Sequence, residues 1–591
     1  MSARARALGF TALGLAVLMT QFGSAQADGG ALDPAFGTGG VVMTPTPPGT
    51  ILENGDLKAV ALQADGKIVV GGHAQSTTAH STTFAVARYE ADGSLDSTFG
   101  TGGVVTTDFG NDWEGVQGLA IQPDGKIVAV GTTGGIVALA RYSPDGSLDP
   151  AFGSASTPGT VQSDVIGGGG AQAVALQPDG KIVVAGGLQG AEVARYNADG
   201  SLDTSFGSDG VASSTHEDWE YATTVALTPS GKILVVGSRA NSLPDSGPDR
   251  SFVIWRFNSD GSLDSSFGSG GVATITVAAW DFASGLALQP DGKIVIGGSS
   301  EVGSQNFMTL ARLEPNGALD QSFGDGGSVL TGQVGDLYVY DASSLLLQPD
   351  GKIIAGGNSS SSLGGSGFGL ARFLPDGSLD PSFGTDGVVG TAFGSDSGTV
   401  RATALQPDGK IVAIGPTWLT TPSSEAISFT LARYLTADSH ALNVEKAVAT
   451  GSGTVSSQPF GIACGLNCAE DAAQFADQSL VTLTAEPVAG SAVSWSGACA
   501  GSGRVCTVTM KDVARSVHVK FSRCLVPRLK GKRARAAKAA IRFAHCSVGR
   551  TRTKRSSKVA KGRVISQHPA GGRNLPAGSR VSVVISKGHR R

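Results

Sequence analysis

Between residues 31 and 438 the chain alternates short apolar runs with turn-forming residues, and no stretch carries helical spacing. One unit starts with Gly103-Val-Val105 and runs through an apolar segment into a Pro-Asp-Gly turn. It resumes at once with Lys126-Ile-Val and closes on Ala140-Arg-Tyr142. Pro-Asp-Gly supplies a glycine that tolerates positive φ, the chemistry of a tight hairpin. The pattern predicts four short strands per unit.

Three elements of this unit recur in a fixed order. The turn element ends in a lysine at Lys67, Lys126, Lys181, Lys232, Lys293, Lys352 and Lys410. A Leu-Asp-x-x-Phe-Gly element has its phenylalanine at Phe36, Phe99, Phe152, Phe206, Phe267, Phe323 and Phe383. The Ala-Arg-Tyr element, or a close variant, has its arginine at Arg88, Arg141, Arg195, Arg256, Arg312, Arg372 and Arg433. Spacings of 51 to 63 residues mean a repeat architecture. Four strands per repeat, seven times over, predict a seven-bladed β-propeller; a solenoid, the second choice, would need a shorter period.

The ends of the repeat region support a closed ring. Each of the first six arginines is followed eight residues later by an aspartate, as in Arg88 and Asp96. Asp33 lacks an upstream arginine and Arg433 lacks a downstream aspartate, so closure should bring these two together. A closed propeller leaves no edge strand that demands a partner, and a monomer is expected.

These repeats, Leu-Asp-x-x-Phe-Gly-x-x-Gly, then Ala-Leu-Gln-Pro-Asp-Gly-Lys-Ile, then Ala-Arg-Tyr-x-x-Asp-Gly-Ser, resemble the bacterial delta-sixty repeat family over about 400 residues. The fourth copy departs from the pattern with Thr228-Pro-Ser230-Gly. The resemblance implies a secreted or surface propeller and brings no established chemistry.

Two modules follow. Residues 442–522 contain alternating segments at Val481–Ala485 and Val505–Thr509 and the segment Val493-Ser-Trp495-Ser-Gly-Ala-Cys499, and they resemble a divergent internalin-type B repeat. That resemblance implies a small β module serving as spacer or adhesive stalk. Trp495 is read as core. Residues 523–588 open with Val526-Pro-x-Leu529-x-Gly531-Lys, carry an alanine-rich helical stretch at Ala534–Ala544, and continue with Gly562-x-Val564-Ile-Ser-Gln567-x-Pro569-x-x-Gly572 and Leu575-Pro-x-Gly578-Ser-x-Val581. They resemble a PASTA domain, which implies an α+β module with affinity for uncrosslinked peptidoglycan or related wall polymers. Residues 589–591 are a basic tail.

Composition sharpens this picture. Charged residues make up 16% of the chain and glycine is abundant at 86 residues, a turn-rich β composition. The net charge of −4 conceals an asymmetry: residues 523–591 hold 20 Lys or Arg and no acid, while the first 522 hold 25 basic and 49 acidic residues. An acid-free module departs from specific muropeptide recognition and favours electrostatic docking to anionic wall polymers; extracellular nucleic acid is the competing polyanion.

The N-terminus reads as a secretory leader. Arg4 and Arg6 precede an apolar run from Ala7 to Met19, and Ala25-Gln-Ala27 follows as a small-residue cleavage site. The run is too short to span a membrane. Cleavage after Ala27 would leave residues 28–438 as the propeller. All six cysteines (Cys464, Cys468, Cys499, Cys506, Cys524, Cys546) fall in the two small modules, which need covalent staples most. Module boundaries favour near-neighbour pairing: 464 with 468, 499 with 506, 524 with 546. A zinc site competes, but the surroundings lack histidine at ligand spacing. No metal and no cofactor is expected.

Residues that break the repeat are the candidate chemistry. Asp112-Trp113-Glu114, Asp218-Trp219-Glu220 and Trp280-Asp281 precede the inner apolar segments of three blades, with Tyr338, Tyr340 and Asp341 in a fourth. Corresponding loops emerge on one face, so these aromatic and acidic groups would share a rim suited to a carbohydrate or a cationic protein ligand; each Trp covering the edge of its own blade is the competing reading. Asp-Gly-Ser-Leu-Asp, as at Asp199–Asp203, has some features of a calcium loop but lacks its full carboxylate set. No Gly-x-Ser-x-Gly, His-Glu-x-x-His or phosphate loop is present. The loose proton-transfer candidates are Asp112 or Glu220 with His216, the basis of an alternative reading as a carbohydrate-active enzyme. The expectation is an exported, wall-associated binding protein without catalysis.

Overall fold

The computed structural model describes residues 20–22, 29–44, 56–75, 81–188, 190–214, 219–240, 250–361, 365–393, 396–420, 425–436, 439–447, 450–458, 462–476, 479–511 and 514–589. The leader's cleavage site lies outside them. No helix among the described residues is long and apolar enough to cross a membrane.

Seven antiparallel sheets form a closed propeller. In the first blade the strands are Leu57–Leu62, Ile68–Gln75, Thr82–Tyr89 and Val104–Thr107, paired in that order. The seventh blade takes its three inner strands from Ala402–Leu405, Ile411–Thr420 and Glu425–Tyr434, and its outermost strand, Val41–Thr44, from the start of the chain. Val41 pairs with Ala432 and Thr44 with Phe429, so the two ends of the repeat region close the ring by backbone hydrogen bonds.

Apolar packing lies between blades. Seven clusters each span two neighbours, and the one across the closure joins Phe36, Leu57, Ile68 and Tyr89 to Val412 and Leu431, all fully buried. Alternation along each strand therefore has both faces apolar in the middle strands, as in Ile68–Gly72, where all five positions are buried. Every Pro-Asp-Gly or equivalent turn places its glycine at φ between 81° and 87°, a conformation that L side chains resist.

A second glycine position is fixed by close approach. In each blade the inner strand bulges, and the carbonyl just before the bulge presses on the second strand. A Cβ at Gly131 would sit 1.9 Å from the Gly115 carbonyl oxygen, and one at Gly357 1.9 Å from that of Asp341. This contact explains the glycine at the end of each Val-Val-Gly-Gly-type segment.

The middle module is a small sandwich of two four-stranded sheets whose core includes Val444, Phe475, Leu483, Trp495 and Val517. Its first strand starts at Ser439, three residues ahead of the boundary read from the sequence, because that strand pairs with Glu470–Ala476 along its whole length. The C-terminal module packs one helix, Ala534–Phe543, through Ala537 and Ile541 against a three-stranded sheet. Cys464–Cys468 and Cys499–Cys506 staple the middle module, and Cys524–Cys546 the last. The two modules meet where Ala577 N–H donates to the Gly490 carbonyl at 2.7 Å.

Candidate functional site

The propeller has two different ends. At one end, the turn face, each second strand begins and each third strand finishes; the chain leaves from here into the middle module, with Thr436 Oγ1 donating to the Gly409 carbonyl at 2.9 Å. At the other, open face, the inner strands begin.

On the turn face every blade repeats one cluster. The repeat lysine and arginine converge on one aspartate oxygen. Lys67 and Arg88 lie 2.9 and 2.7 Å from Asp96, Lys181 and Arg195 lie 2.6 and 2.7 Å from Asp203, and Lys352 and Arg372 lie 3.3 and 2.8 Å from Asp380. At the closure Lys410 and Arg433 lie 3.2 and 2.8 Å from Asp33. The guanidinium also stacks on the repeat phenylalanine, as Arg433 does on Phe36 with 4.5 Å to the ring centre. In six blades its Nη1 then donates to a turn carbonyl of the next blade, as Arg195 does to Ser259, and Arg433 to Ala91 across the closure. The cluster is thus a latch between blades. Asp203 is held below the usual carboxylate range by hydrogen bonds from Lys181 and Ser205. At Asp96 burial opposes the same effect, and hydrogen bonds from Thr98, Lys67 and Arg88 outweigh it.

The Asp-Gly-Ser segments are turns. Asp199 Oδ1 accepts from Ser201 N–H at 3.0 Å and from its hydroxyl at 2.7 Å, which is Asx-turn chemistry.

The open face carries the rim residues. Trp113 is 71% exposed, with Asp112 beside it on the surface. Glu114 is buried and accepts hydrogen bonds from the Phe109 and Asn111 N–H groups and from Thr133. Glu220 is fully buried and pairs with Arg239 Nη2 at 2.5 Å. Asp281 is fully buried, accepts from Val277 N–H at 2.8 Å, and has its carboxyl pushed up by burial. Glu114 and Asp281 anchor the loops that enter their inner strands, and Glu220 ties its inner strand to the second strand through Arg239. Trp280 lies half-buried under Arg250, 4.9 Å from the guanidinium carbon. Tyr338 and Tyr340 form a tilted pair 5.5 Å apart that lines a cavity of about 450 Å³ with Asn306 and Gln333. Asp218, His216 and the side chain of Trp219 lie outside the described residues. Among the described residues, those of the rim stand at one end of blades II, IV, V and VI, and the cavity at Tyr338 and Tyr340 gathers none of the others.

The residues that do share a cavity sit on the axis. A channel of about 460 Å³ is lined by the bulged residue of each inner strand, among them Gln117, Gln172, Thr223 and Ser284, with Lys58 and Arg401 from the first and seventh blades. All seven stand five residues before the last residue ahead of the turn's Pro-Asp-Gly or its variant, and all seven are polar. Asp56 holds the two cations, with Lys58 Nζ at 2.6 Å and Arg401 Nη2 at 3.5 Å. Asp341 reaches the same channel from the sixth blade at φ +73°, its carboxyl pushed up by burial. Sequence reasoning passed over this ring, although the shared offset from the turn marks it.

The C-terminal module presents a cationic surface. Arg550, Arg552 and Lys554 are exposed on alternate positions of the edge strand Ser547–Lys554, and Arg535, Lys538 and Arg542 are exposed on the helix. No Lys or Arg of this module pairs with a carboxylate among the described residues.

Comparison with known proteins agrees with this division. Residues 63–99, 122–152, 177–206, 228–267, 289–323 and 348–383 each match the domain of unknown function (DUF5122) beta-propeller. The seventh blade is split between the two ends of the repeat region, which leaves it no continuous segment of this kind. Residues 525–587 match the PASTA domain. No curated protein matches the chain. Among solved structures, the entire extracellular region of the Ser/Thr kinase PrkC from Staphylococcus aureus matches at 26% identity over 14% of this chain and 30% of that one, with a TM-score of 0.11. The chain thus spans less than a third of that protein. Sqt1 from Chaetomium thermophilum matches at 13% identity over 69% of this chain and 98% of its own, with a TM-score of 0.36. The polysaccharide lyase Uly1 matches at 11% identity over 70% and 98%, with a TM-score of 0.38.

Proposed function

For a chain that joins DUF5122 beta-propeller repeats to a PASTA domain, we propose an exported binding protein of the cell envelope: the PASTA domain docks on the wall, and the propeller presents its open face to a ligand. The observation that carries this reading is the stretch 523–591, whose 20 Lys or Arg and absence of acids stand against an otherwise acidic chain. With no acid among them, these charges attract anionic wall polymers attached to peptidoglycan. The three disulfides fit an oxidising compartment outside the cytoplasm, as does the leader-like sequence. The middle module acts as a spacer between wall and propeller. Binding is favoured over catalysis because Glu220, one of the two acids proposed to move protons with His216, is fully buried in a pair with Arg239.

The test is pelleting of the full chain with purified cell wall over a salt series, beside a variant carrying Arg550→Gln, Arg552→Gln and Lys554→Gln. The chain should pellet at low salt and come off as the Debye length shrinks to roughly 4–5 Å near 0.5 M, with the variant released earlier. Failure to pellet at low salt, or tighter capture by duplex DNA at the same salt, would overturn the reading.

A further inference from the structure

The repeats build a ring of seven equivalents, so any place where equivalence fails is informative. In five blades the bulge interrupts the ladder for one residue, as between Val116 and Gly118 or Ala283 and Gly285. In the sixth blade the ladder breaks from Tyr340 to Ser344, and in the seventh from Gly398 to Ala402. These adjacent irregular bulges deliver Asp341 and Arg401 to the channel, and Lys58 and Asp56 adjoin them in the first blade. The charged residues of the channel are thus gathered on one arc. The opposite arc offers only amides and hydroxyls from Gln117, Gln172, Thr223 and Ser284.

Two polar atoms on the charged arc lack partners. Arg401 Nε and Asp56 Oδ1 are buried without a hydrogen bond among the described residues, and such atoms call for a missing partner. Asp56 serves both cations at 2.6 and 3.5 Å, and Asp341, the other carboxylate at the channel, has its carboxyl pushed up by burial. The volume of about 460 Å³ falls within the range of small-ligand sites.

We propose that the axial channel binds a sugar bearing one carboxylate, with Arg401 and Lys58 taking the carboxylate and the amide and hydroxyl arc taking the ring hydroxyls. A neutral sugar would leave Lys58 and Arg401 sharing the single short partner Asp56, and a small inorganic anion would leave the other arc empty. The inference rests on the reading of the propeller as a ligand-presenting body. It is independent of wall docking, so failure of the pelleting test leaves it standing and failure here leaves the docking standing.

The experiment is calorimetric titration of the full chain with glucuronate, its uncharged methyl ester and glucose. Glucuronate should bind at least about tenfold more tightly than either neutral sugar, the scale of a lost charge-assisted hydrogen bond. Arg401→Gln and Lys58→Gln should each remove that preference while the variants keep the unfolding transition of the parent chain. No binding of glucuronate, equal binding of acid and ester, or unchanged binding by Arg401→Gln would each overturn the proposal. Repeating the titration with galacturonate asks whether the hydroxyl arc reads stereochemistry; equal affinity for both acids would overturn the role assigned to that arc.

Discussion

The turn face and the axial channel of the propeller use the same residue types for opposite purposes. On the turn face, lysine, arginine and aspartate form seven copies of one latch, each stacked on a phenylalanine, and six of the arginines donate to a turn carbonyl of the next blade. At the channel, one lysine, one arginine and two aspartates occur once, and Arg401 Nε and Asp56 Oδ1 make no hydrogen bond among the described residues. Repetition marks architecture, because every blade needs the same joint. Departure from repetition marks the place where a ligand can be recognised, because a ligand lacks sevenfold symmetry.

This contrast can be broken most severely at the closure. Deleting residues 29–44 removes the outermost strand of the seventh blade together with Asp33 and Phe36. Calorimetry should then show no cooperative propeller transition; a full-size transition near that of the parent chain would mean that the ring does not depend on closure.

A single latch comes next. Arg433→Met leaves the Asp33 carboxylate buried beside Lys410 alone, and breaking a buried pair from one side costs about 3–5 kcal/mol. Urea denaturation reads the loss, and adding Asp33→Leu should restore much of it by removing the stranded charge.

Acid should loosen all latches together. The latch aspartates have folded pKa values below the unfolded value of about 3.9. Their contribution is therefore complete above about pH 4 and lost as pH falls below it. Asp281 and Asp341, raised by burial, act in the opposite sense and gain relative stability as they protonate. Two against seven cannot hold the ring, so the urea midpoint should fall steeply below about pH 4; a flat profile down to pH 2.5 would remove the latches from the stability account.

A smaller effect is expected at the bulge. Gly131→Ala puts a methyl group 1.9 Å from the Gly115 carbonyl oxygen, and overpacking of this kind costs about 1–3 kcal/mol. The same urea measurement checks it, with Gly102→Ala, in open space, as the reference for a glycine of positive φ that meets no neighbour.

Much of this was readable in advance, for definite reasons. The constant spacing of eight between arginine and aspartate put Arg433 beside Asp33, because a ring admits one way to satisfy both. The third latch partner was hidden, since Lys67 lies 29 residues before Asp96 and meets it only through strand pairing. Aromatic and acidic residues ahead of the inner strands were legible as one rim. Their separation was not: whether Glu114 faces a ligand or the Phe109 and Asn111 N–H groups depends on how a loop folds back. The channel was least visible. A bulge shifts one residue out of strict alternation, so Lys58, Gln117 and Arg401 look like ordinary solvent-facing positions until the ladder is seen to slip.

The division between joint and site is tested most directly by measuring urea stability and glucuronate binding on two variants side by side. Arg401→Gln removes a partly exposed pair worth at most about 1 kcal/mol, and it should keep the parent's midpoint while losing the preference for the acid sugar. Arg433→Met should lose several kcal/mol and, while still folded, keep that preference. If Arg401→Gln unfolds as Arg433→Met does, or binds glucuronate as the parent does, the channel is one more joint and the account fails.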